Sequence, residues 1–379
     1  MRLVRGPLVR RRRRHRLREA LDRGARLTPG PDGLRTAVVV VNWNRADLTT
    51  RAARAVLDDG AADEVVVVDN GSSDDSVAVL RRDLPGAVVL ARPENGGFAA
   101  GANAGVRATD ADVVVLLNND AEPAPGFVAT LRDHLVAARP EVAAVTGRIV
   151  LAGRWTRLPA GTAPAPDHRV LRDHAGHVWT PAPDGEVRLN STGVLVDRDG
   201  NGMDRDWFAP ADRAAAVDVF GFSGGASALR RSALDDVGLL DESLFMYYED
   251  TELAWRLRRR GWRIEYADAV VVHDHSASSG VQSDLFVFRN ARNRLVVALW
   301  HAPWRTVLRA GVRTAARVVR VAARPGAGRE ARLVLAALAD VAGHLPSHLA
   351  RRRRETRAAS VPRRAVRTDR PGGAGGPGA

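Results

Sequence analysis

Four short apolar runs, Ala37 to Val41, Glu64 to Asp69, Ala87 to Ala91 and Asp112 to Leu117, are each followed by a polar stretch rich in turn formers. Runs this short and Val-rich read as strands covered on both faces, as in a mostly parallel sheet. The stretches between them, Ala46 to Leu57, Ser73 to Arg82 and Phe98 to Arg107, have helical character. The order is therefore βαβαβαβ, which places the chain in the α/β class with a Rossmann-like, doubly wound sheet. Ligands of such sheets sit outside the carboxyl ends of the strands. That rule singles out Asn42-Trp43-Asn44, Asp69 to Asp74, Arg92 to Gly97 and Asn118-Asn119-Asp120.

Beyond this half, a helix is expected over Pro125 to Ala138 and a strand over Val142 to Val150. Arg154 to Ala216 loosens into Pro, Gly, Asp and Arg, which reads as a loop-rich insertion over one end of the sheet. Regularity returns at Val217 to Phe222. Helices are then expected over Arg230 to Val237 and Asp250 to Arg260, strands over Trp262 to Tyr266 and Ala269 to Val272, and a helix over Phe286 to Trp300. The organisation expected is a basic extension over 1–35, a catalytic domain over 36–300, amphipathic helices over 301–350, and a basic, Pro/Gly-rich, disordered tail over 351–379.

The chain has no Cys, which excludes disulfides, thiolate metal sites and cysteine nucleophiles. Any metal must be held by Asp, Glu, His or Asn. Residues 1–35 hold 12 Arg against 3 acids and residues 305–379 hold 17 against 4, whereas the middle sets 28 Arg against 37 acids. An acidic centre would repel a polyanion, so nucleic acid is not an expected partner. Basic ends suit either solvated tails or an anionic membrane surface. No apolar run reaches the ~18 residues of a membrane span, so a cytoplasmic location is expected, with peripheral contact at the inner face of the cell membrane as an option.

Individual residues carry chemical options. A carboxylate at Asp69 can accept the imide N–H of uracil or thymine, or cap the following helix with Ser72. Asp120 offers a hard oxygen to a divalent cation, or closes a polar turn. Asn95 to Asn103, with Gly97 and Gly101, starts a helix on small residues, which lets a backbone approach a ligand and aims N–H groups at negative charge. It is not the GxGxxG of dinucleotide-binding proteins, and hydride transfer is disfavoured. Glu249 and Asp250 open a helix behind Tyr247 and Tyr248, an arrangement that puts a general base beside an aromatic wall, or merely acids at a helix start. His273 ends an apolar strand and can close a metal site with Asp120, or be structural.

In this order the motifs resemble glycosyltransferase family 2, inverting enzymes of the GT-A fold, and within it rhamnosyltransferase-like members. The resemblance runs from Ala37 to Trp300. It implies a nucleotide-sugar donor, Mg2+ or Mn2+ as cofactor, and a saccharide or lipid-linked acceptor in cell-envelope polysaccharide synthesis. It implies that Asn42, Asn44, Asp69, Asn95, Gly97, Asn103 and Asn119 face the donor. Asp120 and His273 would hold the metal, and Asn118 stands where a first Asp is usual. Gly224, Gly225, Tyr247 and Tyr248 would line the acceptor pocket, with Asp250 as base beside Glu249. Arg292 or Arg294 would hold the diphosphate, although Arg289-Asn290 nearly duplicates Arg292-Asn293. UDP-sugars and dTDP-rhamnose both remain open as donors. A polyprenyl-phosphate sugar synthase and a non-catalytic binding protein on the same scaffold are the competing readings.

On a helical wheel, Trp304, Val307, Leu308, Val312, Ala315, Val318, Val319 and Ala322 gather on one side, and Arg305, Arg309, Arg313, Arg317, Arg320 and Arg324 on the other. The apolar side either meets an anionic membrane or packs on the catalytic domain.

Overall fold

The computed structural model describes residues 33–162, 169–274, 283–324, 326–366 and 368. Most of the basic extension and the end of the tail lie outside these residues. Strands β1 (Thr36–Asn42), β2 (Glu64–Asp69), β3 (Val88–Ala91) and β4 (Val113–Asn118) pair in parallel in the order β3-β2-β1-β4. Helices α1 (Ala46–Asp59), α2 (Ser76–Asp83) and α3 (Gly97–Ala108) make the crossovers. Alternate valines point to opposite faces, and both faces are covered. Val38, Val40, Val65 and Val67 pack with α1 and α4 (Phe127–Ala137), whereas Val39, Val66 and Val68 pack with α3. This two-sided burial is why the runs are continuously apolar instead of alternating.

The sheet is mixed beyond β4. It includes β5 (Ala121–Pro123) and β6 (Val142–Leu151), and its order continues from β4 through Ala226–Arg230, β6 and Arg263–His273 to β5. The insertion has more structure than expected of a loop. Within it β7 (Trp155–Arg157), β8 (Leu171–Arg172) and β9 (Val178–Pro181) form a small antiparallel sheet around Trp155, Trp179 and Phe208. Next, β10 (Leu189–Ser191) adds to β6, and β11 (Val194–Val196) pairs with β12 (Gly202–Asp204).

Two expectations change. The regularity at Val217 to Phe222 amounts to isolated bridges, and an unexpected strand follows it, β13 (Ala226–Arg230), antiparallel to both β4 and β6. The two strands expected over 262–272 are one, β14 (Arg263–His273), whose register on β6 shifts between Tyr266 and Val270. A bulge of that kind breaks the periodicity of a strand without ending it.

After α5 (Arg231–Val237) and α6 (Glu249–Arg260) come four helices: α7 (Asp284–His301), α8 (Trp304–Ala322), α9 (Gly328–Gly343) and α10 (Leu345–Ala358). The expected boundary at 350/351 falls inside α10, so the start of the expected tail is helix. No single helix among the described residues is long and apolar enough to cross a membrane; α9 and α10 pass that test only as a pair bent by 66°.

Candidate active site

The order β3-β2-β1-β4 puts the switch of sheet direction between β1 and β4, and the polar residues after these strands meet there. Asn42 closes β1. Its Nδ2 donates to Asp69 Oδ1 at 2.8 Å, and its Oδ1 accepts from Thr49 Oγ1 at 2.7 Å. Asp69 also accepts from the Ser72 hydroxyl at 2.6 Å and the Ser72 N–H at 3.0 Å, and it is 1% exposed. Its first task is therefore to hold the turn after β2. Asn44, with φ of 52°, accepts the Ser73 N–H at 2.8 Å and donates its own N–H to Ser72 Oγ. Asn119 reaches the same knot through Thr49 Oγ1 at 3.3 Å.

A second knot seats the start of α3. Asn70 donates to Asn95 Oδ1 and to the Gly97 carbonyl, Arg92 donates to Asn70, and Asn95 Oδ1 accepts the Gly97 N–H at 2.9 Å. Gly97 has φ of 81°, and a Cβ there would lie 2.1 Å from the Phe245 carbonyl oxygen, so only glycine fits. Gly101 and Gly105 serve another purpose than ligand approach: Cβ atoms there would meet Val41 and Val39, so they let α3 lie close on β1.

Asp120, after β4, is buried and stands 3.0 Å from His273 Nε2 at the end of β14. The other ring nitrogen of His273 bonds Asn190 Oδ1 at 2.7 Å. A neutral imidazole that donates from Nδ1 to the Asn190 carbonyl keeps the Nε2 lone pair toward Asp120. Two adjacent ligands, each ~2.1 Å from a divalent ion, lie about 3 Å apart, so this pair fits one. No cluster of three or more His, Asp or Glu among the described residues offers a closed cage. An ion here would have to complete its shell with water or ligand oxygens. Asn119, Asp120, Glu122 and Asp274 line an adjoining cavity of about 200 Å3.

The carboxylate pair lies at the start of α6. Asp250 Oδ2 accepts the Gly224 N–H at 3.2 Å, and its Oδ1 accepts from the Thr251 N–H and hydroxyl. Gly225 stacks so tightly on Asn118 that a Cβ would sit 2.7 Å from its amide. Asn118 and Gly225 thus tie the metal-side loop to the base. Burial raises both carboxyl pKa values. Glu249 is pushed to about 8 by burial and then by the charge of Asp250, and its Oε2 has no hydrogen-bond partner. Burial favours the protonated form of Glu249 at neutral pH, whereas the three donors on Asp250 favour its ionised form. Asp204 of β12, in the insertion, is raised to about 6 by burial, with Asp250 pushing it up and His273 and His174 pulling it down. It stands within electrostatic reach of both the base and the metal ligands.

Comparison with known proteins decides the family. Residues 37–238 match the model of glycosyl transferase family 2. The chain belongs to that family. It is 31% identical over 247 residues to a pre-mycofactocin glycosyltransferase of Mycobacterium tuberculosis, covering 63% of this chain and 42% of that protein. It is 32% identical over 155 residues to an N-acetylglucosaminyl-diphospho-decaprenol L-rhamnosyltransferase of the same organism, covering 39% and 48%. The chain thus spans less than half the length of these relatives. Among solved structures, GalNAc-T7 with UDP, GalNAc and Mn2+ superposes with a TM-score of 0.52 at 15% identity, covering 91% of this chain and 67% of that one. The fold is GT-A: a curled, mostly parallel sheet flanked by helices.

Several residues expected at the site of this family 2 protein are spent elsewhere. Asn103 is 1% exposed and exchanges hydrogen bonds with the Leu240 backbone, latching α3 to the loop before α6 instead of facing a donor. Tyr248 is buried, and its hydroxyl accepts the Gly202 N–H, so it supports the β11–β12 hairpin and not an acceptor. Tyr247 is half-buried against Phe286. Arg292 pairs with Asp340 of α9 at 2.7 Å, and Arg294 is turned onto Asn201, Ala310 and Thr314. Neither reaches the crevice.

Between these two arginines, Asn293 donates to the carbonyls of Leu244, Met246 and Tyr247, and so holds the left-handed turn that abuts Gly97. The guanidinium of Arg289, also on α7, lies over the Phe245 ring at 5.0 Å. Asn190 and Asp204 lie in the stretch that sequence patterning left unread. No periodicity marks them; only their places do, Asn190 on β10 beside β6 and Asp204 in the β11–β12 hairpin.

Proposed function

We propose that the chain transfers a sugar from a nucleoside diphosphate sugar to an acceptor hydroxyl, with inversion at the anomeric carbon. The observation that carries this reading is one carboxylate, Asp250, fixed by Gly224 and Thr251 and tied through Gly225 and Asn118 to the Asp120–His273 pair. Asp250 takes the proton of the attacking hydroxyl. Asp120 and His273 would hold Mg2+ or Mn2+, which when bound neutralises the departing diphosphate. The donor base lies over the Asn42–Asp69–Ser72 knot, where the remaining acceptor capacity of Asp69 suits uracil or thymine. Of the arginines on α7, we assign the diphosphate to Arg289, which lies over Phe245 beside Gly97. The name of one relative, an N-acetylglucosaminyl-diphospho-decaprenol L-rhamnosyltransferase, favours rhamnose as the sugar and a lipid-linked saccharide as the acceptor.

A donor screen tests the reading. Purified protein is incubated with Mn2+ or Mg2+ and, in turn, dTDP-rhamnose, UDP-glucose, UDP-galactose and UDP-N-acetylglucosamine, beside Asp120→Ala and Asp250→Asn. Release of nucleoside diphosphate from one donor, lost in both variants, is the expected outcome. No turnover and no nucleotide binding in calorimetry would leave a scaffold and not a transferase.

A further inference from the structure

A cavity of about 900 Å3 opens at the C-terminal end of α6. It is separate from the crevice: Arg259 on its wall lies nine residues beyond Asp250 on α6, roughly 14 Å along the axis. Arg259, Arg352, Arg353, Arg363 and Arg364 line it with Trp304. Arg259 is 2% exposed, and its Nε and Nη1 have no hydrogen-bond partner; nor has Nε of Arg363. Arg352 donates to the carbonyls of Leu299 and Ala302 and lies 4.0 Å from the Trp304 ring, and Arg363 donates to the carbonyls of Trp300 and Arg352. Carbonyls satisfy N–H groups but leave the charge. The carboxylate acting on this group is Glu355, which is bonded to Arg351. Burial and mutual repulsion pull Arg259 and Arg352 down to about 10. Clustered guanidiniums whose charge is only partly countered are stabilised by an anion with several acceptor oxygens, above all a phosphate.

Trp304 at the rim begins α8, and α8 is turned in a way that settles which side of its wheel is covered. Ala310, Thr314 and Val321 face the body of the protein. Trp304, Leu308, Val312 and Val319 are 57% to 72% exposed. At 3.6 residues per turn these four fall within an arc of ~80°, and Arg305, Arg309 and Arg320 occupy the adjacent arc, also outward, with Arg313, which pairs with Asp199 at 2.6 Å. Single exposed apolar residues need no explanation, but a continuous stripe bordered by arginines does. A second copy of this face, or the Arg-rich residues 1–32, has the wrong sign to cover it. A surface of phosphates over hydrocarbon has the right one.

We propose that this face binds an anionic phospholipid bilayer, with the Trp304–Val319 stripe in the acyl boundary and a lipid phosphate in the pocket of Arg259, Arg352 and Arg363. The site goes beyond the transfer reaction and is testable without it. The full chain is sedimented with vesicles of phosphatidylglycerol and phosphatidylcholine, or of phosphatidylcholine alone, at physiological salt. Two double variants are run beside it: Arg353→Gln with Arg364→Gln at the rim, and Leu308→Ser with Val312→Ser on the stripe. All four positions are exposed, and melting curves check that the fold is kept.

The wild type is expected to pellet with the anionic vesicles only. Each double variant should lower the partition coefficient on the order of tenfold or more, and inorganic pyrophosphate should compete. Equal binding to both vesicle types, or none, overturns the proposal. So does loss confined to the stripe variant, which would leave an apolar patch without a phosphate site. Stabilisation by pyrophosphate without vesicle binding would make it a site for free anions and overturn the bilayer as its occupant.

Discussion

Glu249 and Asp250 are neighbours in sequence, yet their surroundings differ: three donors meet the Asp250 carboxylate, and Glu249 Oε2 has no hydrogen-bond partner. Asp250→Asn removes the proton acceptor but keeps the shape and the Gly224 contact. It should cost roughly 10²- to 10⁴-fold in turnover with the melting temperature unchanged or raised, and near wild-type turnover would reassign the base. Glu249 predicts a pH dependence of stability. Its folded pKa, about 8, lies above the ordinary glutamate value of 4.5, so the folded state holds a proton that the unfolded chain releases. Stability from this group is therefore full below pH ~4.5 and is lost as pH rises toward 8. Denaturant midpoints at pH 5, 7 and 9 should fall for the wild type and stay flatter for Glu249→Gln; parallel curves would show that Glu249 is not the protonated member. Asn190→Ala releases Nδ1 of His273, and Mn2+ affinity by titration should drop by roughly 10- to 100-fold. Asp120, Asp250 and His273 were legible in the sequence because strand ends and helix starts announce themselves. Asn190 and Asp204 were not, since strands of three residues in the insertion have no period to read.

The elements show the same division. The parallel half was readable to within a few residues, because its Val-rich runs are buried on both faces. Strand β13 was missed because Ala226–Arg230 is short and follows two glycines, and only its place between β4 and β6 makes it a strand. The choice among Arg289, Arg292 and Arg294 could not be made from spacing. All lie on α7, and the packing of α8 and α9 turns the latter two away from the crevice. Within α6, Glu252 is fully buried and accepts from Arg256, His301 and Arg351. Burial would raise its pKa, but Arg256 and then His301 outweigh that and hold the carboxylate ionised. Glu252→Gln strands a buried guanidinium and should destabilise by roughly 3–5 kcal/mol, read in chemical denaturation. A loss under 1 kcal/mol would mean that the cluster is hydrated and not sealed.

At the scale of the molecule, the sequence suggested a catalytic domain with appended helices, whereas the contacts run continuously across residue 300. Arg351 reaches back to Glu252, Arg352 satisfies carbonyls at the end of α7, Trp300 donates to His348, and Asp340 neutralises Arg292. Ser360 and Val361 donate their N–H groups to the Arg259 carbonyl, so even the segment after α10 closes on α6. Ending the chain at Pro303 would remove all of these partners at once and expose the apolar side of α7 that α9 and α10 cover. Such a truncation should be recovered as aggregate, or melt at least ~10 °C below the full chain, since several buried polar groups would lose their partners together. A truncated protein that melts cooperatively near the wild-type temperature and still binds nucleoside diphosphate would show instead that the helices are an appendage. The distinction decides how membrane contact can be measured: if α8–α10 complete the core, deleting them confounds lost binding with lost folding. Exposed point substitutions on α8 and at the cavity rim then keep the two apart.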